Sequence, residues 1–334
     1  VLEFEKLLND ISEESPAGPP LRDDVDLSAK FYEIRTARNE ARTAERAYRD
    51  YQTMSEDEKE LEGRPDSPDW HVVSSAAMTI LEENSKDIWI AAWAVEALVR
   101  QHGFAGLRDG FRLIRELCDR FWDGLHPRPD DEDGLQLTLS QVASLNDILL
   151  EPINQIPLTS QGLTSVDYIE AAALEKNADT KSSVQAAGGT TLESFERAAS
   201  EGTTEYFQEL LGDIEQTLKE LKQLDALLEE RCDQAEQSDA APPLSRVIEA
   251  VGECGHRVRS FAKALLDVSD EGDENAEQTE EDLEAESSGV RTTSTPSVIR
   301  SRDAAFLAMR QSAAFFRRTA PHSPIPSTPA PLVR

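Results

Sequence analysis

The chain has 334 residues, room for one large or two to three small domains each burying its own core. Its 65 acidic against 34 basic side chains give a formal net charge of -31, which repels phosphate backbones and anionic lipid heads and favours cationic protein surfaces as partners. No apolar run is long enough to span a bilayer, and Glu3, Glu5 and Lys6 break the basic-then-apolar order of a signal peptide, so a cytoplasmic protein without direct membrane insertion is expected.

Residues 1 to 30 read as irregular, with Ser15-Pro16-Ala17-Gly18-Pro19-Pro20-Leu21-Arg22 as a turn-rich entry segment. A helix follows from Phe31 to about Met54, its apolar side built from Ala37, Ala41, Ala44 and Ala47, small enough for close packing. Ser67 or Asp69 caps the next helix, which starts at Trp70 and runs to about Glu83. Two further amphipathic helices are predicted from about Ile88, with Ser85 as cap of the first and Gly103 and Gly106 supplying the positive φ at the junction. Pro127 forbids continuation past His126. A helix from Leu135 to Leu150 and the breaks at Pro152 and Pro157 complete a first domain over 1–160.

The composition then turns to Ala, Thr, Ser and Gly, and 161–200 reads as a flexible linker. Over 201–268 a stripe of Phe207, Leu211, Ile214, Leu218, Leu221 and Leu228 precedes two rows with a seven-residue repeat. One row is Leu244, Val251, Val258 and Leu265; the other is Val247, Cys254, Phe261 and Val268, so the pair predicts an antiparallel helical hairpin with a coiled-coil-like seam. Residues 267–286 hold eleven acids and no base, which makes 269–296 an acidic disordered tether. A basic helix over 297–320, with Arg300, Arg302, Arg310, Arg317 and Arg318 beside Phe306, Phe315 and Phe316, and a proline-rich tail over 321–334 end the chain. The fold class is therefore all-α.

Little chemistry is written into these segments. A phosphate-cradling glycine loop, a Gly-x-Ser-x-Gly elbow and a Cys-x-x-Cys pair are all missing from the sequence. Cys118, Cys232 and Cys254 are odd in number and suit reduced, buried thiols. Glu253-Cys254-Gly255-His256 puts a carboxylate and an imidazole on one helical face, as a di-iron bundle would, but that centre needs a second Glu-x-x-His that the chain lacks. His126 reads as a structural residue satisfied by a nearby carbonyl rather than a general base, and Trp89, Trp93 and Trp122 as core or interface residues rather than a ligand cage. No catalytic, metal-binding or cofactor-binding residue is assigned, and no cofactor is expected.

The ordered set of motifs resembles the TssA (ImpA-related) subunits of the bacterial type VI secretion system. It comprises Ser15, Pro16, Ala17 and Gly18 with Leu21 and Arg22; Trp70; Ser85, Lys86 and Asp87 with Trp93; Gly106; and Trp122, Leu125, His126 and Pro127. Ile156-Pro157-Leu158-Thr159 and Leu224-Asp225-Ala226-Leu227-Leu228 extend the likeness, and Phe315-Phe316-Arg317-Arg318 resembles the segment that leads into the family's multimerising region. The resemblance implies a non-enzymatic assembly or scaffold component that binds baseplate, tube and sheath proteins, with the membrane complex a further partner, and forms homo-oligomers through its C-terminal end. After Pro326 the sequence departs from the family pattern, so the resemblance also implies a truncated or diverged terminus. The competing expectations are a degenerate, non-multimerising adaptor and a metal-dependent helical-bundle enzyme built on Glu253 and His256.

Overall fold

The computed structural model describes residues 1–128, 134–175 and 189–266. The chain divides into two compact units, Val1–Gln278 and Thr279–Arg334, and everything described belongs to the first. The expected tether over 269–296, helix over 297–320 and tail over 321–334 lie outside the described residues. Within them the fold is all-α, with only two isolated β-bridges, Asp87 with His126 and Pro157 with Thr164.

The helices run α1 (Phe4–Leu7), α2 (Ser28–Thr53), α3 (Glu56–Glu62), α4 (Trp70–Glu83), α5 (Ile88–Phe121), α6 (Gly134–Ile148), α7 (Leu150–Asn154), α8 (Ser165–Leu174), α9 (Leu192–Glu201), α10 (Thr204–Gln234) and α11 (Ser245–Phe261). Helix α5 is the axis of the body. Between Ile90 and Val99 every residue is buried, so this stretch is enclosed by neighbours on all sides rather than carrying one core-facing stripe. Helices α4, α6, α7 and α10 pack around it. At Gly103 the backbone takes φ 54° and ψ -132°, which an L side chain avoids, and the helix changes direction there. Gly106 lies inside the second half with ordinary helical φ; its role is contact, since a Cβ there would sit on the Leu98 carbonyl oxygen.

Two features of α5 differ from the expectation. Asp87, not Ser85, caps it: the carboxylate accepts from Trp89 N (2.8 Å) and Ile90 N (3.3 Å), while Ser85 is fully buried two residues earlier. Gly103 alone supplies the positive φ at the junction. Helix α4 is capped by Asp69 through His71 N and Val72 N.

The expected linker over 161–200 holds two helices, α8 and α9. Capping boxes at Thr164 and Thr191 start them, and Phe195, fully buried, packs on Tyr168 and Phe261 with ring centroids 5.2 and 5.3 Å away. Small residues hid these elements from a search for apolar periodicity: Ala171, Ala198 and Ala199 are the buried positions that accompany Phe195. One apolar core runs from Leu7 to Ala262 and passes through the expected boundary at residue 160.

Helices α10 and α11 are antiparallel, with Phe207 at the start of one beside Phe261 at the end of the other (6.0 Å). Leu244, Val247, Val251, Cys254 and Val258 are all buried, which explains the doubled seven-residue rows. Helix α10 is fastened to α5 by Arg115 to Glu220 (2.8 Å), by Arg108 to Asp213 and by the Thr217 hydroxyl donating to Phe104 O (3.0 Å). Asn146 of α6 caps α11, accepting from Arg246 N (3.0 Å) and Val247 N (3.3 Å).

Candidate functional site: the cleft where three motif segments meet

The three motif segments that are far apart in sequence converge ahead of α5. Lys86 N donates to Ala17 O (2.7 Å), His126 N donates to Lys86 O (3.0 Å), and Ile88 N donates to His126 O (2.7 Å), so the entry segment, the start of α5 and the chain leaving it share one backbone ladder. Ser15 Oγ closes the entry turn onto Gly18 O (3.2 Å). Gly18 has φ 72°, and a Cβ there would strike the backbone oxygen of Asn84, so the residue is required on both counts. Leu21, Leu125 and Pro127 are buried against this joint, and Thr138 Oγ1 donates to Pro127 O (2.9 Å) after the cis His126-Pro127 peptide.

Two charged groups are buried in the joint with no opposite charge bound to them. Lys86 is fully buried; its Nζ donates to Leu7 O (2.8 Å) and Leu81 O (2.6 Å) and lies 5.5 Å from the Phe121 ring centroid. Burial, reinforced by Arg120, pushes its pKa down to about 8. At about 1.4 kcal/mol per pH unit the buried ammonium costs about 3 kcal/mol at neutral pH, offset by charge-assisted hydrogen bonds that tie α1 and α4 to α5. Asp87 is 1% exposed, and burial pushes its carboxyl up to about 7 despite the helix N–H groups it accepts. The neighbouring His126 has its Nε2 2.9 Å from Gly18 O, an atom that only accepts, so Nε2 carries the proton and Nδ1 is a buried acceptor with no partner among the described residues. Burial holds this imidazole below its ordinary pKa, hence neutral.

A cleft of about 600 Å³ opens beside the joint, lined by Pro19, Pro20, Leu21, Arg22, Asp87 and His126 among others. Arg22 lies over the Trp89 indole, its guanidinium carbon 4.2 Å from the ring centroid and 5.7 Å from that of Phe31.

Of the motif residues, Ser15, Ala17, Gly18, Leu21, Arg22, Ser85, Lys86, Asp87, Leu125, His126 and Pro127 come together here. Trp70, Trp93, Gly106 and Trp122 serve elsewhere. Trp93 donates to Gln141 (2.9 Å) and packs on Phe31, Trp70 lies under Arg100 (4.1 Å), Trp122 is half-buried in a 3-10 turn, and Pro16 is exposed. The pair Glu253 and His256 lies on the outer face of α11, with Glu253 engaged by Arg257 (3.4 Å). Among the described residues no group of three or more His, Cys, Asp or Glu is placed to hold a metal ion. Cys118, Cys232 and Cys254 are buried free thiols.

One cluster absent from the sequence reading is Glu96, 1% exposed, which accepts from Arg38 Nε (2.7 Å) and Arg42 Nε (2.9 Å) across α2 and α5. Its signal was a single carboxylate in the otherwise apolar run from Ile88 to Val99, a position that demands a cationic partner.

Comparison with known proteins shows what the body resembles. Residues 8–147 match the family described as ImpA, N-terminal, type VI secretion system. The type VI secretion system component TssA1 of Pseudomonas aeruginosa is 30% identical over 197 residues, 56% of this chain and 52% of that protein, so the chain spans about half the length of this curated relative. The solved N-terminal domain, including the conserved ImpA_N region, of the TssA component of the type VI secretion system from Burkholderia cenocepacia superposes with a TM-score of 0.60 at 25% identity, over 79% of this chain and 94% of that one. The fold likeness thus extends well past residue 147. The body is all-α, its residues 8–147 are similar to the ImpA N-terminal region of type VI secretion proteins, and its fold is like that of the solved TssA N-terminal domain.

Proposed function

We propose that this chain is a non-enzymatic assembly component of the type VI secretion system, working in the cytoplasm and binding baseplate, tube and sheath proteins while the tail is built, with the membrane complex a further partner. The observation that carries the reading is the use made of the motif that the chain shares with those proteins. Three of its charged and polar residues are spent inside the fold, Lys86 on two carbonyls, Asp87 on a helix cap and His126 on Gly18, which leaves no nucleophile and base side by side among the described motif residues and leaves the outer surface for partners. The acidic surface favours basic partner faces and steers their approach at low salt. Self-association belongs to the same reading, and light scattering of the full chain is expected to give a mass several times 37.0 kDa.

Because one core spans both the motif region and the α10–α11 hairpin, the test removes the whole body. A strain carrying only the residues after 266 is expected to stop secreting the tube protein, and complementation with the full chain to restore it. Normal secretion from that strain would refute the proposal.

A further inference from the structure

Arg22 stands apart from the other arginines of the body. It is half-buried, its guanidinium carbon lies over the Trp89 and Phe31 rings, and it makes no hydrogen bond or ion pair among the described residues. Every other buried or half-buried arginine among them is paired with a carboxylate: Arg38 and Arg42 with Glu96, Arg100 with Glu45, and Arg115 with Glu220 are examples. A chain with 65 acids does not lack candidates. A guanidinium is a planar fork of N–H donors whose geometry matches a carboxylate, and one resting on aromatic rings has less side-chain freedom to lose on binding. The guanidinium belongs to the wall of the 600 Å³ cleft, where Pro19, Pro20 and Leu137 offer apolar contact.

We propose that this cleft is a carboxylate-recognition site, in which Arg22 grips a carboxylate group on a peptide segment of a partner protein while flanking apolar side chains of that segment rest on the proline wall. The two acids of the cleft do not preclude this. Asp87 is engaged by Trp89 N and Ile90 N and is held above the usual carboxylate range, and Asp23 is exposed, where salt screens it. The site goes beyond the electrostatic expectation for the whole molecule, since it is a local cationic receptor on an acidic body. It rests on the assembly reading only for the origin of the partner, not for whether Arg22 binds a carboxylate.

The test uses the isotope-labelled full chain at 0.15 M salt and three blocked peptides. One has the sequence Ala-Leu-Glu-Leu-Ala with both ends capped, one is Ala-Leu-Gln-Leu-Ala with a free C-terminal carboxylate, and the third is the latter with that end amidated as the neutral control. Shifts of the Arg22 Nε–H and Trp89 indole N–H resonances report binding. The expected result is that a carboxylate peptide binds about tenfold more tightly than the neutral one, the loss of one charge-assisted hydrogen bond. Tighter binding of the first peptide assigns the carboxylate to an acidic side chain, and of the second to a chain terminus. Arg22→Gln is expected to remove the preference, Arg22→Lys to keep part of it, and Arg35→Gln, on an exposed arginine, to leave it intact. Equal binding of all three peptides, or a preference that survives both Arg22 variants, overturns the proposal. Recovery of secretion proteins with the wild-type chain alongside such a failure would sink this site and leave the assembly reading standing.

Discussion

Replacing Asp87 by Asn is expected to stabilise the body, and to do so in a pH-dependent manner. Asn retains the side-chain oxygen that accepts from Trp89 N and Ile90 N and is an equally good helix cap, and it replaces the ionisable oxygen with an amide NH2 that carries no charge. In the native state the carboxyl is raised by burial from an ordinary 3.8 to about 7. Between those values the native state holds a proton that the unfolded chain has released, so wild-type stability falls as pH rises from about 4 to about 7 and stays at the lower level above. At about 1.4 kcal/mol per pH unit, the variant gains about 2 kcal/mol over wild type at pH 5.5 and about 4 kcal/mol at pH 8, with no difference near pH 3.5. Urea unfolding of both proteins followed by circular dichroism across that range measures the difference directly. A difference independent of pH, or an Asn variant less stable at pH 8, would show that the carboxylate is not desolvated as the joint requires.

Four other substitutions or treatments probe separate parts of the fold. Glu96→Gln strips two guanidiniums of their carboxylate and is expected to destabilise by about 3 kcal/mol or more in urea unfolding, far beyond the loss from an exposed pair such as Arg246–Asp147. Gly18→Ala adds a Cβ in a left-handed backbone and against Asn84 O, and its melting temperature is expected to fall by several degrees, about 2 kcal/mol or more. Phe195→Ala is expected to lose about 3–5 kcal/mol, whereas a flexible linker at that position would show no change. Burial pushes the Cys118 thiol up to about 12 and raises Cys232 and Cys254, so a thiol reagent at pH 8 is expected to label none of the three until the body unfolds.

How far the sequence revealed this architecture depended on the kind of signal. Helices with large apolar residues at regular spacing, such as α5 and the α10–α11 pair, were legible because Leu, Ile, Val and Phe mark a buried stripe unmistakably. Helices α8 and α9 were not, because alanine serves both as a buried residue and as linker filler, and only the tertiary contact of Phe195 with Phe261 decides between them. The cap of α5 was misplaced by two residues: Ser85 and Asp87 are equally good caps in sequence, and the β-bridge between Asp87 and His126 determines which one stands at the helix start. The motif residues were identifiable as a set, but not their joint. That Lys86 reaches Leu7 and that His126 reaches Gly18 are contacts across 79 and 108 positions, which no local pattern encodes. Arg22 was visible in the motif, yet that it forms no ion pair among the described residues emerges only once every other inward-lying arginine there has been paired.

The central claim, that this chain serves in building the secretion machine, is tested most directly by what it holds in the cell. Affinity purification of the tagged full chain from its native host after mild crosslinking, with mass spectrometry of the co-purifying proteins, is expected to recover baseplate, sheath or tube components above an untagged control. A well-expressed chain that brings none of them would contradict the account.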